Sequence, residues 1–417
     1  MSGTQFAAYS RNDDPVLAIV APGQGAQTPG FLAPWLELPT FATRLAWLSA
    51  VSGLDLAHYG TEADAETIRD TAVAQPLLVA AGLTAVLELL PSPSEAFRKV
   101  GVVAGHSVGE ITAAAGTNVI SVEAAMVLVR ERGKTMAAAS AAWPTSMSAV
   151  IGGDRDEVMA AIEKYGLTAA NDNGSGQVVA GGTAEQLAEL AANPPHRTRI
   201  VPLSVAGAFH TVHMEPAVSQ MQSLVKAVST KDPRTRLLSN ADGQVVQSGA
   251  EYLQRIVRQI ATPVRWDLCM ATMAELGVTG LLELPPAGTL TGIAKRNLKG
   301  VELFSLNTPD QLDEARDFVD RHADASHYDL STTPSWRLVV SPGKGRFSRN
   351  ASISVDDTLS AHTTIGAVKN RRDEIPVAAQ YGGVVLEWLV EDDDPVSPGQ
   401  PLLRLHPSST TVQEDLA

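Results

Sequence analysis

Apolar runs alternate with segments of helical periodicity over the first three quarters of the chain. Residues 16–21 are continuously apolar and end at Pro22-Gly23, which predicts a buried strand that runs into a loop. Residues 100–104 form a second run of this kind, and helical patterns fill most of the chain up to residue 90 and from 108 to 140. Strands that alternate with helices predict a parallel α/β sheet.

The pattern changes near residue 145 and changes back near residue 205. Between these points the chain reads strand, helix, strand, strand, helix, strand, with the helices at 155–164 and 184–192. This order is the split βαβ, ferredoxin-like unit. We therefore predict a ferredoxin-like subdomain at about 145–205, inserted into a larger α/β domain that spans residues 15–322.

A second, smaller domain is predicted after a linker. Residues 323–336 have few apolar side chains and are rich in Ser, Thr and His, which indicates a linker. Beyond it, similar residues recur 37 positions apart, pairing Gly345 with Gly382, Phe347 with Val384, Ile353 with Val390, Asp357 with Asp394 and Leu359 with Val396. Two β-rich halves predict a small pseudo-symmetric all-β domain at 337–407. Residues 1–14 and 408–417 are expected to be disordered tails.

The composition and net charge of the chain argue against some classes of protein. Apolar residues make up 44% of the 417 positions, which allows a large core, and the formal net charge is −14. An acidic chain is not expected to bind nucleic acid. Cys269 is the single cysteine, so neither an internal disulfide nor a cysteine-based metal site is expected. The apolar stretch at 71–90 is interrupted by Gln75, Pro76 and Glu88 and is predicted to be a buried helix rather than a membrane span, so we expect a cytoplasmic protein without a membrane partner.

The strongest chemical signal is Gly105-His106-Ser107-Val108-Gly109, directly after the second predicted strand and before a helix. This is the G-x-S-x-G nucleophile elbow in its required strand–turn–helix context. The glycines permit a tight turn that presents the serine hydroxyl, and the helix N-terminus offers N–H groups to an oxyanion. Ser107 is therefore the candidate nucleophile.

A glycine-rich loop, Gly23-Gln24-Gly25-Ala26-Gln27, follows the first strand. It is expected at the same edge of the sheet as the elbow, where its backbone N–H groups could complete an oxyanion hole. It lacks the G-x-G-x-x-G pattern of a dinucleotide site. An ordinary strand-to-helix turn explains the loop equally well when it is taken alone.

Arg132 falls on the apolar stripe of a helix that begins near Ser121. A guanidinium on an apolar face needs an anionic partner, which is either a structural carboxylate or a substrate carboxylate. Position alone favours the structural ion pair.

His210, in Gly207-Ala208-Phe209-His210, follows the predicted insert at the same sheet edge. It is a candidate general base for Ser107. His213 lies three residues further on and competes for this role, and a structural histidine is the alternative for both.

Together these residues resemble the malonyl-CoA:acyl carrier protein transacylase family over about residues 15–320. Six segments carry the resemblance, in family order: Gln24-Gly25-Ala26-Gln27, Gly105 to Glu110, Arg132 to Met136, Asn171 to Gly181, Ala208-Phe209-His210, and Gln259 to Trp266. The chain departs from the family at two positions, with Ala137 where Gln is frequent and Thr262 where Asn is common.

The resemblance implies a hydrolase-like α/β core with a ferredoxin-like insert, and it implies roles for individual residues. Ser107 is then the acyl nucleophile, His210 its base, and the backbone N–H groups of Gln24 and Val108 the oxyanion hole. The Gln259 region orients His210 through a neutral oxygen. The resemblance also implies that Arg132 binds the free malonyl carboxylate, and that Gln75, His106 and Asn171 are further substrate-binding residues.

The resemblance also implies a reaction and its partners. Malonyl-CoA is the acyl donor, the phosphopantetheine thiol of an acyl carrier protein is the acceptor, and catalysis needs no cofactor or metal. Since such carriers are acidic, a basic rim is expected, and its candidates are Arg197, Arg199, Lys295, Arg296 and Lys299; an ordinary solvated surface is the alternative.

The C-terminal region, from about residue 338 to 405, resembles the biotinyl/lipoyl carrier domain, a flattened all-β barrel. Lys369 falls between the two repeats, where that family carries its modified lysine. Its flanks, Ala367-Val368-Lys369-Asn370, lack both the biotin and the lipoyl signals, so we do not expect biotin or lipoyl on Lys369 and instead expect a docking or scaffold module.

Three other functions remain open from the sequence. A serine hydrolase or thioesterase uses the same elbow, a related transferase would carry another acyl-CoA in polyketide synthesis, and a catalytically silent scaffold is the third alternative. The glutamine loop, Arg132 and the insert favour transfer of a malonyl group.

Overall fold

A computed structural model describes residues 15–323, 337–370, 373–380 and 382–406. The chain divides into two compact units, 1–327 and 328–417. The predicted tails and nearly all of the predicted linker lie outside the described residues.

The first unit alternates strands and helices, as its hydrophobic pattern predicts. Its strands are β1 (Leu17–Ala21), β2 (Val102–Gly105), β3 (Thr145–Gly152), β4 (Thr168–Asp172), β5 (Gln177–Thr183), β6 (Thr198–Pro202), β7 (Arg236–Leu238), β8 (Val245–Val246), β9 (Val264–Arg265), β10 (Gly280–Glu283) and β11 (Glu302–Ser305). Its α-helices are α1 (Pro39–Ser52), α2 (Leu56–Thr61), α3 (Thr71–Leu89), α4 (Pro93–Lys99), α5 (Gly109–Gly116), α6 (Val122–Ala142), α7 (Arg155–Lys164), α8 (Ala184–Ala192), α9 (Glu215–Val225), α10 (Gly249–Gln259), α11 (Trp266–Glu275), α12 (Thr289–Asn297) and α13 (Leu312–His322).

The main sheet has the strand order β11-β10-β1-β2-β7-β8. Its pairings are parallel except for β7 with β8. Every residue of β1 is buried, because helices cover both faces of this central strand. The carboxyl ends of β1 and β2 are therefore neighbours, which brings the loops after them together.

The helix α3 is the most apolar segment of the unit. It is long and apolar enough to meet the length and composition test for a membrane span, but 72% of that window is buried inside the protein. Its Gln75 and Pro76 are both buried. The predicted buried helix at 71–90 is thus found in the structure.

The insert forms a sheet of its own, with the order β6-β3-β5-β4-β9. Its first four strands have the order of the ferredoxin-like unit that the sequence pattern predicts. The fifth strand, β9, was not predicted: Val264–Arg265 comes from outside the insert and pairs in parallel with Asn171 and Asp172 of β4. This pairing joins the insert to the segment that follows α10.

The second unit is all-β. Its strands are β12 (Arg337–Val340), β13 (Gly345–Arg349), β14 (Thr358–Leu359), β15 (Thr364–Lys369), β16 (Glu374–Ala378), β17 (Gly383–Trp388), β18 (Pro395–Val396) and β19 (Pro401–His406). They form two antiparallel sheets of four strands, β12-β19-β17-β14 and β16-β15-β13-β18.

The two halves of this unit are related as the repeat predicts, apart from one register error. Phe347 N donates to Asp394 O at 2.9 Å, and in the other half Val385 N donates to Asp357 O at 2.8 Å. Phe347 is therefore equivalent to Val385 and not, as the constant spacing predicts, to Val384. Val385 is fully buried, whereas Val384 is half-buried. The paired glycines agree with this register, because Gly345 pairs with Val396 and Gly383 pairs with Leu359.

Candidate active site

Ser107 lies on a sharp turn between β2 and α5. Its φ is +54°, in the left-handed region that side chains other than glycine rarely adopt. The flanking glycines are required by space, because a Cβ on Gly105 would lie 2.0 Å from Gly109 and one on Gly109 would lie 2.3 Å from Ala21 O. The turn thus has the conformation of a nucleophile elbow.

The loop after β1 packs against this elbow. A Cβ on Gly23 would lie 2.9 Å from both Nδ1 and the carbonyl oxygen of His106, and His106 N donates to Ala21 O at 2.9 Å. Among the described residues, the backbone N–H groups of Gln24 and Val108 have no hydrogen-bond acceptor. Both are therefore free to bind an oxyanion.

His210 contacts the nucleophile directly. Its Nε2 lies 2.8 Å from Ser107 Oγ, and its Nδ1 lies 2.7 Å from the main-chain oxygen of Gln259. Since a carbonyl oxygen only accepts, Nδ1 carries the proton and Nε2 is the acceptor for the serine hydroxyl. The neutral oxygen that orients His210 belongs to the backbone of Gln259, not to its side chain.

His210 is buried, and burial together with the charge of Arg132 lowers its pKa to about 3. Its φ is +61°, so both members of the pair have a left-handed backbone. A neutral imidazole at neutral pH is the form that a general base requires. The competing His213 lies in a short 3-10 turn, and no hydrogen bond joins it to Ser107 among the described residues.

Arg132 also contacts Ser107 Oγ. Its Nη2 donates to Ser107 Oγ at 3.4 Å and its Nη1 to Gln75 Oε1 at 2.6 Å, while Nε has no partner within the described ranges. The structural ion pair that position alone favours is not found among the described residues, because these hydrogen bonds go to neutral oxygens. Burial lowers the pKa of Arg132 to about 10, so it remains a cation at neutral pH.

Gln75 connects Arg132 to the glycine-rich loop. Its Nε2 lies 3.4 Å from Gln24 Oε1 and 3.5 Å from Met136 Sδ. The side chain of Gln24 in turn donates to Thr71 Oγ1 and to the main-chain oxygen of Arg69, just before α3. The predicted residues Gln24, Gln75 and Arg132 thus line one side of the serine.

Glu110 is a buried acid directly after the elbow, and no hydrogen bond joins it to His210 in the described part of the chain. Its Oε1 accepts from Asn240 N at 2.8 Å and its Oε2 accepts from Gln259 Nε2. Burial raises the pKa of Glu110 to about 8, an effect that the Asn240 N–H and the positive charge of Arg132 oppose.

Asn240 was not predicted from the sequence. It is completely buried; its Oδ1 accepts from Ser107 N and its Nδ2 donates to Gly105 O, both at 2.8 Å. This side chain closes the two ends of the elbow around the nucleophile. Because it occupies the N–H of Ser107, that group is not an oxyanion donor.

His106 connects the elbow to the insert. Its Nε2 donates to Asn173 Oδ1 at 3.1 Å, its ring makes an edge contact with Trp266, and burial lowers its pKa to about 4. The predicted Asn171 lies in β4 and makes no side-chain hydrogen bond to another described residue. Its neighbour Asn173 is the amide that reaches the elbow.

The segments that carry the predicted basic rim both lie next to the turn between β4 and β5. Arg296 Nη2 donates to Gln177 Oε1 at 2.9 Å, and the adjacent Asn297 Oδ1 accepts from Ser175 N at 2.7 Å. On the other side of this turn, Gly152 N donates to Gly176 O at 2.9 Å, and Gly152 pairs with Thr198. The exposed side chains of the rim are Arg197, Arg199, Lys295, Arg296 and Lys299.

In the second unit, Lys369 ends β15 at the start of a hairpin. It pairs with Glu374 of β16, and its Nζ lies 3.3 Å from the Glu374 carboxylate. The side chain is 53% exposed.

The fold and the arrangement of serine, histidine and backbone donors define an acyltransferase, and comparison with known proteins places it in a family. The model of the acyl transferase domain matches residues 19–323, and the chain belongs to this family. The malonyl CoA-acyl carrier protein transacylase of Mycobacterium tuberculosis is 50% identical over 299 residues, which cover 72% of this chain and 99% of that protein. The transacylase of Mycolicibacterium smegmatis is 49% identical and covers 68% of this chain and 98% of its own length.

Solved structures agree with the sequence matches. MCAT from Mycobacterium tuberculosis superposes with a TM-score of 0.69 at 48% identity, covering 72% of this chain and 99% of that chain. A malonyl-transacylase in complex with its type II PKS acyl-carrier protein gives 0.67 at 29% identity, covering 72% and 99%. The predicted mixed α/β transacylase fold of the first unit is confirmed. The second unit lies beyond the family match.

Proposed function

We propose that this chain transfers a malonyl group from malonyl-CoA to the phosphopantetheine thiol of an acyl carrier protein. The observation that carries the proposal is Arg132, a buried cation beside Ser107 Oγ whose hydrogen bonds go to neutral oxygens. A cation in this position is complementary to a substrate with a second, ionised carboxyl group.

In the first half-reaction, His210 Nε2 takes the proton of Ser107 as Oγ attacks the thioester carbonyl. The resulting oxyanion binds the backbone N–H groups of Gln24 and Val108, each worth about 3 kcal/mol of transition-state stabilisation. When the C–S bond breaks, His210 returns the proton to the thiolate, so the products are the malonyl ester of Ser107 and CoA.

In the second half-reaction, the carrier thiol gives its proton to His210 and attacks the ester. The C–O bond of the tetrahedral intermediate breaks, and His210 protonates Ser107. His210 is an imidazolium only while it holds the transferred proton, and its Nδ1–H stays bonded to the main-chain oxygen of Gln259 throughout.

Arg132 selects the acyl group. Its Nε and Nη2 face the serine side without a carboxylate partner, and a malonyl carboxylate would accept two hydrogen bonds from them. An acetyl group leaves the buried guanidinium without an anion, so acetyl-CoA is a poor substrate. Gln75 holds Arg132 in place.

His106 and Asn171 are proposed to contact the CoA or pantetheine chain. His106 lies in the elbow, and its hydrogen bond to Asn173 places the β4–β5 turn of the insert above it. A substrate that enters between core and insert passes these residues before it reaches Ser107.

The carrier protein is proposed to bind at the rim formed by Arg197, Arg199, Lys295 and Arg296. The segments that carry these cations lie next to one turn of an otherwise acidic protein, and complementary charge speeds encounter with an acidic partner. That turn also contains Asn173, so the docking surface is continuous with the site.

Hydrolysis is the main alternative. A serine hydrolase usually orients its histidine with a carboxylate, whereas here a backbone oxygen does so and the buried acid Glu110 lies one hydrogen bond further away. A transferase of an acyl-CoA that has no second carboxylate is disfavoured by Arg132, which such an acyl group leaves unpaired.

The second unit is proposed to be a biotinyl/lipoyl-like carrier domain that serves as a docking or scaffold module. Its two related four-stranded halves and the position of Lys369 at a hairpin support this proposal. The flanks of Lys369 and its ion pair with Glu374 support an unmodified lysine. The same proposal divides the chain into an acyltransferase domain at 15–322, a linker and this module. It also includes a cytoplasmic location.

The test is a transfer assay with purified full-length protein, malonyl-CoA and a carrier in its holo and apo forms. We expect malonyl transfer to the holo carrier only, with free malonate as a minor product. Release of malonate well in excess of transfer would instead make the protein a hydrolase. Acetyl-CoA serves as the matched substrate control.

A further inference from the structure

A closed ring of hydrogen bonds joins the nucleophile to its base. Ser107 N donates to Asn240 Oδ1 at 2.8 Å, Asn240 N donates to Glu110 Oε1 at 2.8 Å, and Gln259 Nε2 donates to Glu110 Oε2. The ring returns through the main-chain oxygen of Gln259, which accepts from His210 Nδ1 at 2.7 Å, and through the 2.8 Å contact of His210 with Ser107.

We propose that Glu110 is the positioning residue of this ring and sets the distance between Ser107 Oγ and His210 Nε2 through Asn240 and Gln259. This inference rests on the proposed function only in one respect: malonyl-CoA is the substrate used in the test. Glu110 touches neither the reacting atoms nor the histidine, so it acts through its two partners.

The three linking residues come from separate parts of the chain. Glu110 is in the first turn of α5, Asn240 follows β7, and Gln259 ends α10. The segment with Asn240 holds the elbow, and the segment with Gln259 holds the histidine. The Glu110 carboxylate is the point where these two segments meet.

Because the ring is buried, each of its hydrogen bonds matters for the geometry of the site. Asn240 is 0% exposed and Glu110 and Gln259 are each 1% exposed, so water cannot replace a lost bond. The left-handed backbone of Ser107 and of His210 also needs support from its surroundings, because this conformation is unfavourable on its own. Loss of one bond is therefore expected to shift the catalytic pair rather than only to weaken the fold.

The first test is Glu110→Gln, which preserves size and shape. Burial raises the pKa of Glu110 to about 8, so the test is run at pH 9, where Glu110 is a carboxylate. The hydrogen bonds from Asn240 and Gln259 both come from N–H donors, so an amide at position 110 can accept from one of them but opposes the other with its own NH2 group. We expect the rate of Ser107 acylation in a single turnover to fall about 100-fold, as a misplacement on the order of 1 Å would cause. The KM for malonyl-CoA should change less than about threefold, since no substrate contact is lost.

The second test is rescue by exchange. In the double variant Glu110→Gln with Gln259→Glu, the amide at 110 accepts from Asn240 N and donates to the carboxylate at 259, so each ring bond has a donor and an acceptor again. The main-chain oxygen that holds His210 is unchanged. We expect the double variant to acylate at least about fivefold faster than either single variant, because residues in one network couple.

Ser239→Ala is the matched control. Ser239 is as completely buried as its neighbour Asn240, but it has no place in the ring. It should acylate at the wild-type rate. If Glu110→Gln does not fold, Gln259→Met is tested in its place. This change removes one ring bond but keeps the backbone oxygen, and methionine is an apolar side chain of similar length.

A second measurement is the rate at which a serine-directed sulfonyl fluoride labels Ser107, because this reaction needs no malonyl group. If wild type transfers no malonyl but labelling still slows in Glu110→Gln and recovers in the exchange variant, the proposed function fails and the ring stands. A folded Glu110→Gln variant with wild-type acylation and labelling, equal slowing in Ser239→Ala, or no recovery on exchange would overturn the proposal.

Discussion

The guanidinium of Arg132 lies 3.4 Å from the hydroxyl of Ser107, and both are held by groups that carry no charge. Glu110 is close enough to interact electrostatically with Arg132, but its two oxygens accept from Asn240 and Gln259. The cation is therefore neutralised only in part by the protein itself, and this leaves it available to a substrate anion.

Arg132→Ala is expected to lower malonyl transfer by about 1,000-fold, the loss typical of truncating one partner of a buried charge pair. Acetyl transfer should change far less, because the acetyl group has no carboxylate to lose. The measurement is kcat/KM for both CoA thioesters. Equal loss on both substrates would show that Arg132 has only a structural role.

The rate of acylation should stay constant as the pH falls from 7 to 5, a range that lies below the pKa of Glu110, which burial raises to about 8. His210 must be neutral to accept the serine proton, and burial with the charge of Arg132 lowers its pKa from 6.5 to about 3, so acid protonates it only far below neutrality. Arg132→Ala removes one cause of this shift and should move the acid limb to higher pH. The pH profile of kcat/KM checks this; a wild-type limb near 6.5 would contradict it.

Glu283→Ala should destabilise the first unit. Glu283 is completely buried and accepts from the backbone N–H groups of Gly288, Leu290 and Thr291 at the start of α12, at 2.8 to 2.9 Å. Removing it leaves buried donors unsatisfied, at a cost of about 3 kcal/mol. The urea midpoint of the first unit should fall, whereas Asp313→Ala, which removes a 96% exposed side chain, should leave the midpoint unchanged.

The double charge reversal Arg197→Glu with Lys295→Glu should raise the KM for the carrier about tenfold and leave the KM for malonyl-CoA unchanged. Added salt should weaken carrier binding by wild type more than by the variant, because the attraction is screened. Lys134→Glu, an exposed reversal on α6, is the control. An unchanged carrier KM in the double variant would place the docking surface elsewhere.

Local patterns in the sequence predicted much of the site. The elbow follows from glycines that leave no room for a Cβ, and the inward position of Arg132 follows from helical spacing. Asn240 could not be predicted, because it lies 133 residues from Ser107 in the chain and acts through one side-chain amide. The contact between Gln259 and His210 uses a backbone oxygen. Because every residue has one, the residue type at position 259 does not predict this contact.

The errors in predicting the fold from the sequence have similar causes. The strand Val264–Arg265 is too short to show a periodicity, so its addition to the insert was not predicted. A constant spacing in the repeat of the second unit assigns Val384 to the place equivalent to Phe347, whereas Val385 occupies that place in the structure. Long-range pairing and single-residue changes in spacing decide such details, and neither leaves a local pattern.

The most direct test of the central claim is intact-protein and peptide mass spectrometry after brief exposure to malonyl-CoA without a carrier. We predict one malonyl ester per chain, located on Ser107, absent from Ser107→Ala and discharged when holo carrier is added. A malonyl adduct that persists in Ser107→Ala, or an ester on Ser107 that the carrier cannot discharge, would contradict the account.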